Sequence, residues 1–191
     1  MKIAKALTIR SKGGKLRVVS SEIALCLPLG QNIPKKVEDI DNLQRFNGIW
    51  DTGASGSVIT EKVVQSLSLQ PTGQKEVNTA NGTIITNTYL VDFILPGNVL
   101  IQNVEVTEAK LRKVDILIGM DIITLGDFSI TNLNNITVMT FRVPSMVEYD
   151  YVKEANNHNR LEQFKEARKG KGGSSKKKSK KSRKRKKGKR R

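Results

Sequence analysis

Apolar and polar residues alternate over short stretches along most of this chain, a pattern that is typical of β-strands. Apolar-rich segments with β-branched residues predict strands at residues 3–9, 15–27, 46–50, 89–95, 99–107, 114–118, 128–130 and 136–143. Residues 28–45 contain prolines, a glycine and mixed charge, which predict a loop between two strands. The chain up to Pro144 is therefore expected to be mainly β.

Two glycine-containing pairs predict hairpin turns. Gly13-Gly14 separates the first two predicted strands, and Asn81-Gly82 separates two further β-type segments. Asparagine followed by glycine readily adopts the positive φ angles of a tight turn. Together with Ala80, this pair is expected to form a hairpin tip of small residues.

Two short segments between the strands predict helices. Residues 60–67 suit a short helix with Thr60 as its N-cap. Residues 120–125 suit a second short helix, which Gly126 would end. Neither helix is long enough to change the expectation of an all-β domain.

The sequence changes character after Pro144. Residues 149–167 are charged with loose apolar periodicity, so we expect a helical linker over 146–167 after a folded domain at 1–145. Residues 168–191 are almost exclusively Gly, Ser, Lys and Arg, and such a segment cannot bury enough apolar surface to offset its chain entropy. We therefore expect residues 168–191 to be a disordered basic tail.

The positive charge of the chain is concentrated in that tail. The formal net charge is +16, from 34 Lys and Arg against 18 Asp and Glu, and 16 of the bases lie between Arg168 and Arg191. The first 167 residues hold 18 bases and 18 acids, so they are formally neutral. This distribution excludes a nucleic-acid-binding domain that is basic throughout.

Cysteine and histidine are too few for several kinds of site. Cys26 is the single cysteine and His158 the single histidine, which excludes an intrachain disulfide, a multi-cysteine zinc site and a histidine-rich metal centre. We therefore expect no metal and no organic cofactor. A signal-peptide apolar core and a run of about 18 apolar residues are both absent from the sequence, so a cytoplasmic location is expected.

Two motifs, separated by the predicted hairpin, carry the candidate chemistry. Asp51 ends an apolar strand and is followed at once by Thr52-Gly53-Ala54-Ser55. A second aliphatic run ends in Ile118-Gly119 and leads into the second short helix. An Asp-Thr-Gly turn alone is common, but these motifs in this order and spacing resemble the retropepsin-like aspartic proteases over residues 40–143.

The resemblance implies an all-β, closed barrel-like lobe with one short helix after the second motif. Aspartic proteolysis needs two carboxylates that share one proton, and this chain has one Asp-Thr-Gly sequence. The second Asp51 would therefore come from another copy of the chain. The resemblance thus implies a homodimeric aspartic endopeptidase that hydrolyses a peptide or protein substrate with an Asp51 pair and an activated water.

The same resemblance implies roles for the residues after Asp51. Thr52 would hydrogen-bond across the dimer axis, and Gly53 would let the backbone approach the carboxylates. Ala54 and Ser55 would border the substrate channel.

The remaining elements of the resemblance lie in the hairpin and the second motif. The hairpin tip, with Ala80, Asn81 and Gly82, would be the flap that closes over the peptide and excludes water. Gly119, after Ile118, would allow the strand to pack closely against the active-site loop.

Three features depart from the retroviral pattern. Retroviral enzymes usually have an arginine after the glycine of the second motif, whereas this chain has Met120 followed by Asp121, as in bacterial and cellular relatives. The residue before the aspartate is the bulky Trp50, where relatives more often have a small aliphatic residue. The flap tip contains Asn-Gly instead of a glycine-rich sequence.

Other residues allow alternative sites. Asp115 and Asp121 could form a second carboxylate pair or a metal site, or they could be a strand-edge charge and a helix-start charge. His158 with Ser55 or Ser57 could suggest a serine hydrolase, but the glycines do not fit the Gly-x-Ser-x-Gly motif. Cys26 lies in an apolar run typical of a core residue.

The tail leaves a different class of function open. Its charge would attract any polyanion, and without aromatic residues it would not read a nucleic acid sequence by base stacking. Nucleic acid, an anionic membrane surface, a localisation signal or simple solubilisation all fit the composition. The alternative hypothesis for the whole chain is an inactive dimeric peptide-binding scaffold with a nucleic-acid-binding tail.

Overall fold

The structure is a computed structural model that describes residues 3–79 and 82–185, with side chains for 3–77 and 82–169. The chain divides into two compact units between Met146 and Val147. The strands are β1 (Lys5–Arg10), β2 (Ser20–Cys26), β3 (Gln44–Trp50), β4 (Val58–Ile59), β5 (Gly73–Thr79), β6 (Gly82–Leu95), β7 (Val99–Glu108), β8 (Ile116–Ile118), β9 (Asp127–Thr131) and β10 (Val138–Val143). The α-helices are α1 (Glu61–Ser66), α2 (Met120–Ile123) and α3 (Tyr151–Arg185).

Six strands of the first unit close into a barrel. The order in this sheet is β2-β3-β8-β4-β7-β6-β5, and β2 pairs with β6 as well as with β3. The pairing of β2 with β6 closes the barrel, and β5 extends from it as the other arm of a hairpin with β6. The predicted all-β, closed barrel-like lobe is confirmed.

The barrel interior is apolar. Its fully buried side chains include Ile23, Leu25, Ile59, Val91, Phe93, Val106, Ile116 and Ile118. Burying one side chain of this size stabilises the fold by about 1.5–3 kcal/mol. This core fixes the ends of β3 and β8, from which the two sequence motifs continue.

A separate three-stranded antiparallel sheet packs against the barrel, with the order β1-β10-β9. Aligned positions on one face are apolar, namely Leu7, Ile9, Phe128, Ile130, Met139 and Phe141. The opposite face carries mostly polar residues, namely Ala6, Thr8, Arg10, Asp127, Ser129, Thr131, Val138, Thr140 and Arg142. This alternation is the expected result of covering one face of a sheet.

The predicted N-terminal hairpin is wrong. β1 pairs with β10, whereas β2 pairs with β3 and β6. Gly14 has a positive φ, but it lies in a local turn in which the Ser11 hydroxyl donates to its carbonyl at 2.7 Å. Pairing with β10 instead aligns Leu7 with Phe141, so both side chains lie on the same sheet face and pack into the core.

The short helices lie close to their predicted positions. Thr60 precedes α1 with the extended backbone of an N-cap, but its side chain makes no capping hydrogen bond. The predicted N-cap is confirmed in position, although its Oγ1 is buried without a hydrogen-bond partner among the described residues. α2 ends at Ile123, earlier than predicted, because β9 begins shortly after it at Asp127.

The second unit contains α3, which begins at Tyr151 near the predicted helical linker. The helix continues to Arg185, whereas we expected disorder from residue 168. Lysine and arginine are among the better helix formers, which favours a helix once a preceding segment has started one. None of the described helices has the length and apolar character needed to cross a membrane.

Candidate active site

The two sequence motifs meet at the ends of two neighbouring strands. β3 and β8 are parallel, and Trp50 is paired with Ile118 at their last positions. The Asp51 N–H donates to the Ile118 carbonyl at 2.9 Å, which continues the pairing by one residue. The fold therefore brings Asp51 next to the second motif.

The carboxylate of Asp51 is held by its own loop. The Gly53 N–H donates to Asp51 Oδ1 at 2.8 Å, and the Ala54 N–H donates to the Asp51 carbonyl at 3.3 Å. Asp51 and Ala54 are half-buried, while Thr52, Gly53 and Ser55 are exposed. A Cβ atom on Gly53 would lie 3.1 Å from Asp51 Oδ1, so a side chain there would crowd the carboxylate.

Gly119 allows close contact between the second motif and this loop. A Cβ atom at this position would lie 2.6 Å from both the carbonyl carbon and the oxygen of Gly56. Because both are backbone atoms, the loop would have to move to accept any side chain. Beyond Gly119, the Met120 N–H donates to the Ala54 carbonyl at 2.8 Å, and the Asp121 N–H donates to the Ser55 carbonyl at 3.2 Å.

Asp121 ties the active-site loop to α2 through Ser57. The buried Ser57 donates its N–H to Asp121 Oδ2 at 2.9 Å and its hydroxyl to Oδ1 at 2.8 Å. The same hydroxyl accepts the Gly119 N–H at 3.1 Å. Hydrogen bonds to a carboxylate are about twice as strong as neutral ones, so this network fixes the loop firmly.

Sequence analysis missed this role of Ser57. Asp121 was expected to be a helix-start charge, and it does accept the Ile122 N–H at 3.0 Å. The bond to Ser57 depends on tertiary structure that no local pattern reports.

Asp115 does not form a second carboxylate pair with Asp121. The two residues lie at opposite ends of β8, and each has its own donors. Asp115 accepts the Asn47 N–H at 3.2 Å and forms an ion pair with Lys62 at 3.0 Å. Among the described residues, no three His, Cys, Asp or Glu side chains are grouped so that they could hold a metal ion.

Trp50 supports the strand that ends at Asp51. Its buried ring lies 5.8 Å from the Phe128 ring and 5.3 Å from the Phe141 ring, measured between centroids. Its indole N–H donates to the Ser21 hydroxyl at 3.1 Å. The bulky residue that departs from the family pattern therefore fills the space between the barrel and the three-stranded sheet.

The predicted flap corresponds to the β5–β6 hairpin. Its register pairs Val77 with Ile84 and Thr79 with Gly82, and Gly82 has a φ of 111°. The predicted tip residues Ala80 and Asn81 lie outside the described residues.

The base of this hairpin borders a groove with a volume of about 790 Å³. The groove also touches the start of α1 and the segment after β7, and Ile84, Ile85 and Leu111 give it apolar walls. Glu108 reaches its edge and accepts the Tyr89 hydroxyl at 2.8 Å. Burial and this hydrogen bond raise the pKa of Tyr89.

The alternative nucleophiles find no support in the geometry. His158 lies on α3 in the second unit and is exposed, and the Ser57 hydroxyl is engaged by Asp121 and Gly119. Cys26 is fully buried, as expected for a core residue. Burial, with Asp92 nearby, raises the pKa of its thiol to about 11, so the thiolate does not form at neutral pH.

Comparison with known proteins supports the relationship inferred from the motifs. Residues 36–122 match the family model described as aspartyl protease, which covers both motifs and the hairpin between them. The predicted resemblance to the aspartic proteases is confirmed over this segment, which is less than half of the chain. No curated protein matches the sequence.

Three solved structures are similar to this chain in part. A retropepsin-like aspartic protease from Rickettsia conorii is 14% identical with a TM-score of 0.43, and the match covers 75% of this chain and 98% of that one. A foamy viral protease-reverse transcriptase is 26% identical with a TM-score of 0.34, covering 40% of this chain and 10% of that one. A Legionella pneumophila protein of unknown function is 16% identical with a TM-score of 0.31, covering 58% of this chain and 86% of that one.

Proposed function

We propose that this relative of the retropepsin-like aspartic proteases is an endopeptidase that acts as a homodimer, with Asp51 of each copy forming the catalytic pair. One observation carries the proposal. A half-buried aspartate follows the end of a core strand in an exposed Asp-Thr-Gly loop, and that loop is fixed by the glycine and aspartate of the second motif. This arrangement lies within the segment that matches the aspartyl protease family.

The geometry around Asp51 suits a shared proton. The Gly53 N–H occupies Oδ1, so Oδ2 is the oxygen that remains for a proton, a water molecule or the partner carboxylate. Two carboxylates in contact cannot both ionise, so the pair titrates as a unit with one proton between them. The exposed Thr52 and Gly53 would lie where two such loops meet, which agrees with the proposed contact across the dimer axis.

Hydrolysis follows from that charge state. The ionised carboxylate takes a proton from water as the water oxygen bonds to the scissile carbonyl carbon, and the protonated carboxyl donates to the carbonyl oxygen. The C–N bond of the resulting tetrahedral intermediate then breaks, and the nitrogen receives a proton from the pair. This chemistry uses the two carboxyl groups and one water, so it needs no metal or organic cofactor.

An extended peptide is the substrate that the surrounding surface fits best. β5 is the last strand of its sheet and pairs only with β6 among the described residues, so its outer edge can accept a peptide through main-chain hydrogen bonds. Exposed Ile84 and Ile85 on this hairpin supply apolar contacts for substrate side chains. Ala54 and Ser55 would border the peptide on the side of the Asp51 loop, and Ala80, Asn81 and Gly82 would close over it.

Substitution of Asp51 tests the proposal. Asp51→Asn keeps the shape of the side chain but removes the acid, so cleavage of a peptide library should fall by at least about 100-fold. Asp39→Asn, an exposed acid before β3, is the matched control and should cleave like wild type. Sedimentation velocity should show the same mass for all three proteins. Cleavage by Asp51→Asn at the wild-type rate would refute the proposed catalytic pair.

The charge distribution supports a second candidate, an inactive dimeric peptide-binding scaffold whose tail from Arg168 to Arg191 binds nucleic acid. This candidate predicts peptide binding without cleavage, and equal binding by wild type and Asp51→Asn. Deleting residues 168–191 should abolish salt-dependent RNA binding under either candidate, but only the endopeptidase should keep cleaving peptides afterwards. Polyanion binding by the tail and a cytoplasmic location stay predictions.

A further inference from the structure

The groove of about 790 Å³ beside the β5–β6 hairpin lies apart from the Asp51 loop. Among the described residues, its walls are formed by the start of α1, by residues 84–87 of β6 and by residues 108–111, whereas residues 51–57 do not line it. Its volume falls within the range of about 300–1,000 Å³ that is typical of ligand sites. The groove therefore has room for a ligand that does not touch the Asp51 carboxylate.

The groove forms where two strands of the barrel separate. The register between β6 and β7 ends at the pair Thr88 and Thr107. Beyond that pair the chain that follows β7 turns toward β4, since the Ala109 N–H donates to the Ile59 carbonyl at 3.0 Å. Residues 84–87 of β6 keep their pairing with β5, and on their other side the groove occupies the place that β7 would fill. This edge of β6 is therefore open to a strand from another molecule.

Both walls of the groove offer apolar contacts. On the hairpin wall Ile84 is 44% and Ile85 73% exposed, and Leu111 lies half-buried on the opposite wall. The Thr86 hydroxyl donates to the Glu108 carbonyl at 2.6 Å, which joins the two walls at their base. A peptide strand laid along β6 would place its alternate side chains against these apolar residues.

The wall that follows β7 carries positive charge without a partner. Lys110, Arg112 and Lys113 are exposed, and none of them forms an ion pair with another residue in the described part of the chain. The other base that lines the groove, Lys62, is paired with Asp115 at 3.0 Å. The cations that remain for a ligand are therefore those of residues 110–113.

The two acids that line the groove already have donors. The Gln65 amide donates to Glu61 Oε1 at 3.0 Å, and the Tyr89 hydroxyl donates to Glu108 Oε2 at 2.8 Å. The unsatisfied charge at the groove is thus positive, which favours a ligand that supplies carboxylates.

We propose that the groove is a second peptide-binding site, in which an extended segment of the protein substrate, with alternating apolar and acidic residues, pairs with the open edge of β6. The inference rests on the proposed function, because this segment belongs to the substrate whose scissile bond lies at Asp51. Main-chain hydrogen bonds to β6 would supply affinity, while the isoleucines and the basic wall would select the side chains. A nucleic acid fits less well, since the described lining residues include two carboxylates and no aromatic ring for base stacking.

Binding in the groove would lower KM for substrates that carry such a segment. Because both contacts are made by one substrate chain, the second contact forms at a high effective concentration once the first has formed. One wall belongs to the hairpin and the other to the barrel, so the bound segment would also join these two parts.

A charge reversal tests the groove without cleavage, in the full-length Asp51→Asn protein. The probe is a fluorescent peptide of alternating valine and glutamate, about eight residues long, whose binding is followed by anisotropy. Lys110→Glu should raise its Kd at least about fivefold, because an attraction becomes a repulsion. Lys12→Glu makes the same charge change at an exposed site outside the groove and should alter Kd by less than about twofold. Equal changes in both variants would overturn the proposal, because the basic tail is the same in each.

An apolar variant measures the same contact in the same background. Ile84→Ala should raise Kd for the peptide at least about threefold, whereas Leu27→Ala, at a site 49% exposed and outside the groove, should bind normally. An excess of single-stranded RNA should occupy the tail and leave the bound peptide in place. Complete displacement of the peptide by RNA would assign the binding to general polyanion attraction and overturn the proposal.

Kinetics with Asp51 intact connect the groove to cleavage. An apolar peptide is compared with the same peptide extended by the valine–glutamate segment, and Lys110→Glu should raise KM at least about fivefold for the extended peptide alone, with kcat unchanged. An equal rise for both peptides would overturn the second site. A protein that binds the probe through the groove but cleaves nothing refutes the proposed catalysis and keeps the groove. Cleavage that needs Asp51, with a Kd that neither Lys110→Glu nor Ile84→Ala alters, refutes the groove alone.

Discussion

The Asp51 loop and the β5–β6 hairpin are the two parts of the proposed active site, and they are stabilised in different ways. The loop is tied to β8 and α2 by hydrogen bonds from Gly119, Ser57 and Asp121, and Trp50 supports it from below. The part of the hairpin between Thr88 and the tip is held mainly by the pairing of β5 with β6, because β6 begins to pair with β7 only at Thr88.

This difference fits the division of work in the proposed reaction. Proton transfer needs oxygen atoms held within a fraction of an ångström, and the buried network of the loop provides that rigidity. Enclosing a peptide needs a segment that can adjust, and a two-stranded ribbon with few buried side chains has low local stability. Substitutions at the loop should therefore mainly change the free energy of unfolding, whereas substitutions in the hairpin should mainly change the affinity for peptides.

Removing the support below the loop should have the largest effect on stability. Trp50→Ala deletes a buried ring that contacts Phe128 and Phe141, so the free energy of unfolding should fall by about 3–5 kcal/mol. Ile85→Ala in the hairpin removes a side chain that is 73% exposed and should change stability by less than about 0.5 kcal/mol. Urea unfolding followed by circular dichroism measures both. Equal losses would show that the hairpin is as firmly packed as the loop.

Crowding the loop itself should have the next largest effect. Gly119→Ala places a methyl group against the Gly56 backbone, which should lower the free energy of unfolding by about 1–3 kcal/mol and displace the Asp51 loop. The cleavage rate should fall by more than the folded fraction does. Gly13→Ala, where a Cβ meets no atom within 4 Å, is the matched control. An active, fully stable Gly119→Ala protein would contradict the close packing described here.

The sheet below the loop should respond to acid through Asp127. Hydrogen bonds from Ser145 and Arg142 hold the pKa of the Asp127 carboxyl well below its usual range. The folded state therefore gains stability from this group above about pH 4, the ordinary pKa of aspartate, and loses it as pH falls further toward the lowered value. Asp127→Asn should be less stable than wild type at pH 7, and the difference in the free energy of unfolding between the two proteins should become smaller below pH 4.

An exposed acid of the hairpin provides the comparison for that experiment. Glu76→Gln in β5 should stay within about 0.5 kcal/mol of wild type over the same pH range. Urea midpoints at several pH values between 7 and 3 measure all three proteins. If the difference in the free energy of unfolding between Asp127→Asn and wild type grows as the pH falls, the stabilising role assigned to the ionised Asp127 carboxylate is refuted.

The smallest expected effect on stability is in the hairpin, where the effect on substrate should be clearest. Ile85→Ala removes an exposed apolar side chain beside the groove, so KM for apolar peptides should rise roughly threefold to tenfold while kcat changes little. Steady-state kinetics on one peptide gives both values. A fall in kcat with unchanged KM would instead place Ile85 among the groups that act on the reaction itself.

Local sequence signals predicted most of the fold elements and the centre of the site. The strands at 99–107 and 136–143 and the Asp51 and Ile118-Gly119 motifs lie close to where the structure has them, because alternation and tight turns are properties of neighbouring residues. The partner of β1 could not be predicted in this way. Gly13-Gly14 suggested a local hairpin, but the apolar face of β1 matches β10 at the other end of the lobe.

The same limit applies to the site. Ser57 and Asp121 are 64 positions apart, and their hydrogen bonds exist only after β3, β4 and β8 have assembled. The closure of the barrel by β2 and β6 is also a long-range pairing without a local signature. In contrast, the lack of an arginine after Gly119 is visible in the sequence. In the structure, Met120 follows Gly119 and its N–H donates to the Ala54 carbonyl.

β6 belongs to both the hairpin and the barrel wall, and this continuity determines how the hairpin can swing. From Thr88 onward the strand pairs with β7, and at residues 92–94 it pairs with β2 as well, so it cannot tilt there without opening the barrel. Glu108 marks the pivot, because its carbonyl accepts the Thr86 hydroxyl at 2.6 Å and its carboxylate accepts the Tyr89 hydroxyl at 2.8 Å. Any movement of the hairpin should therefore bend β6 near Thr86 and Tyr89, while the rest of the strand stays in the barrel wall.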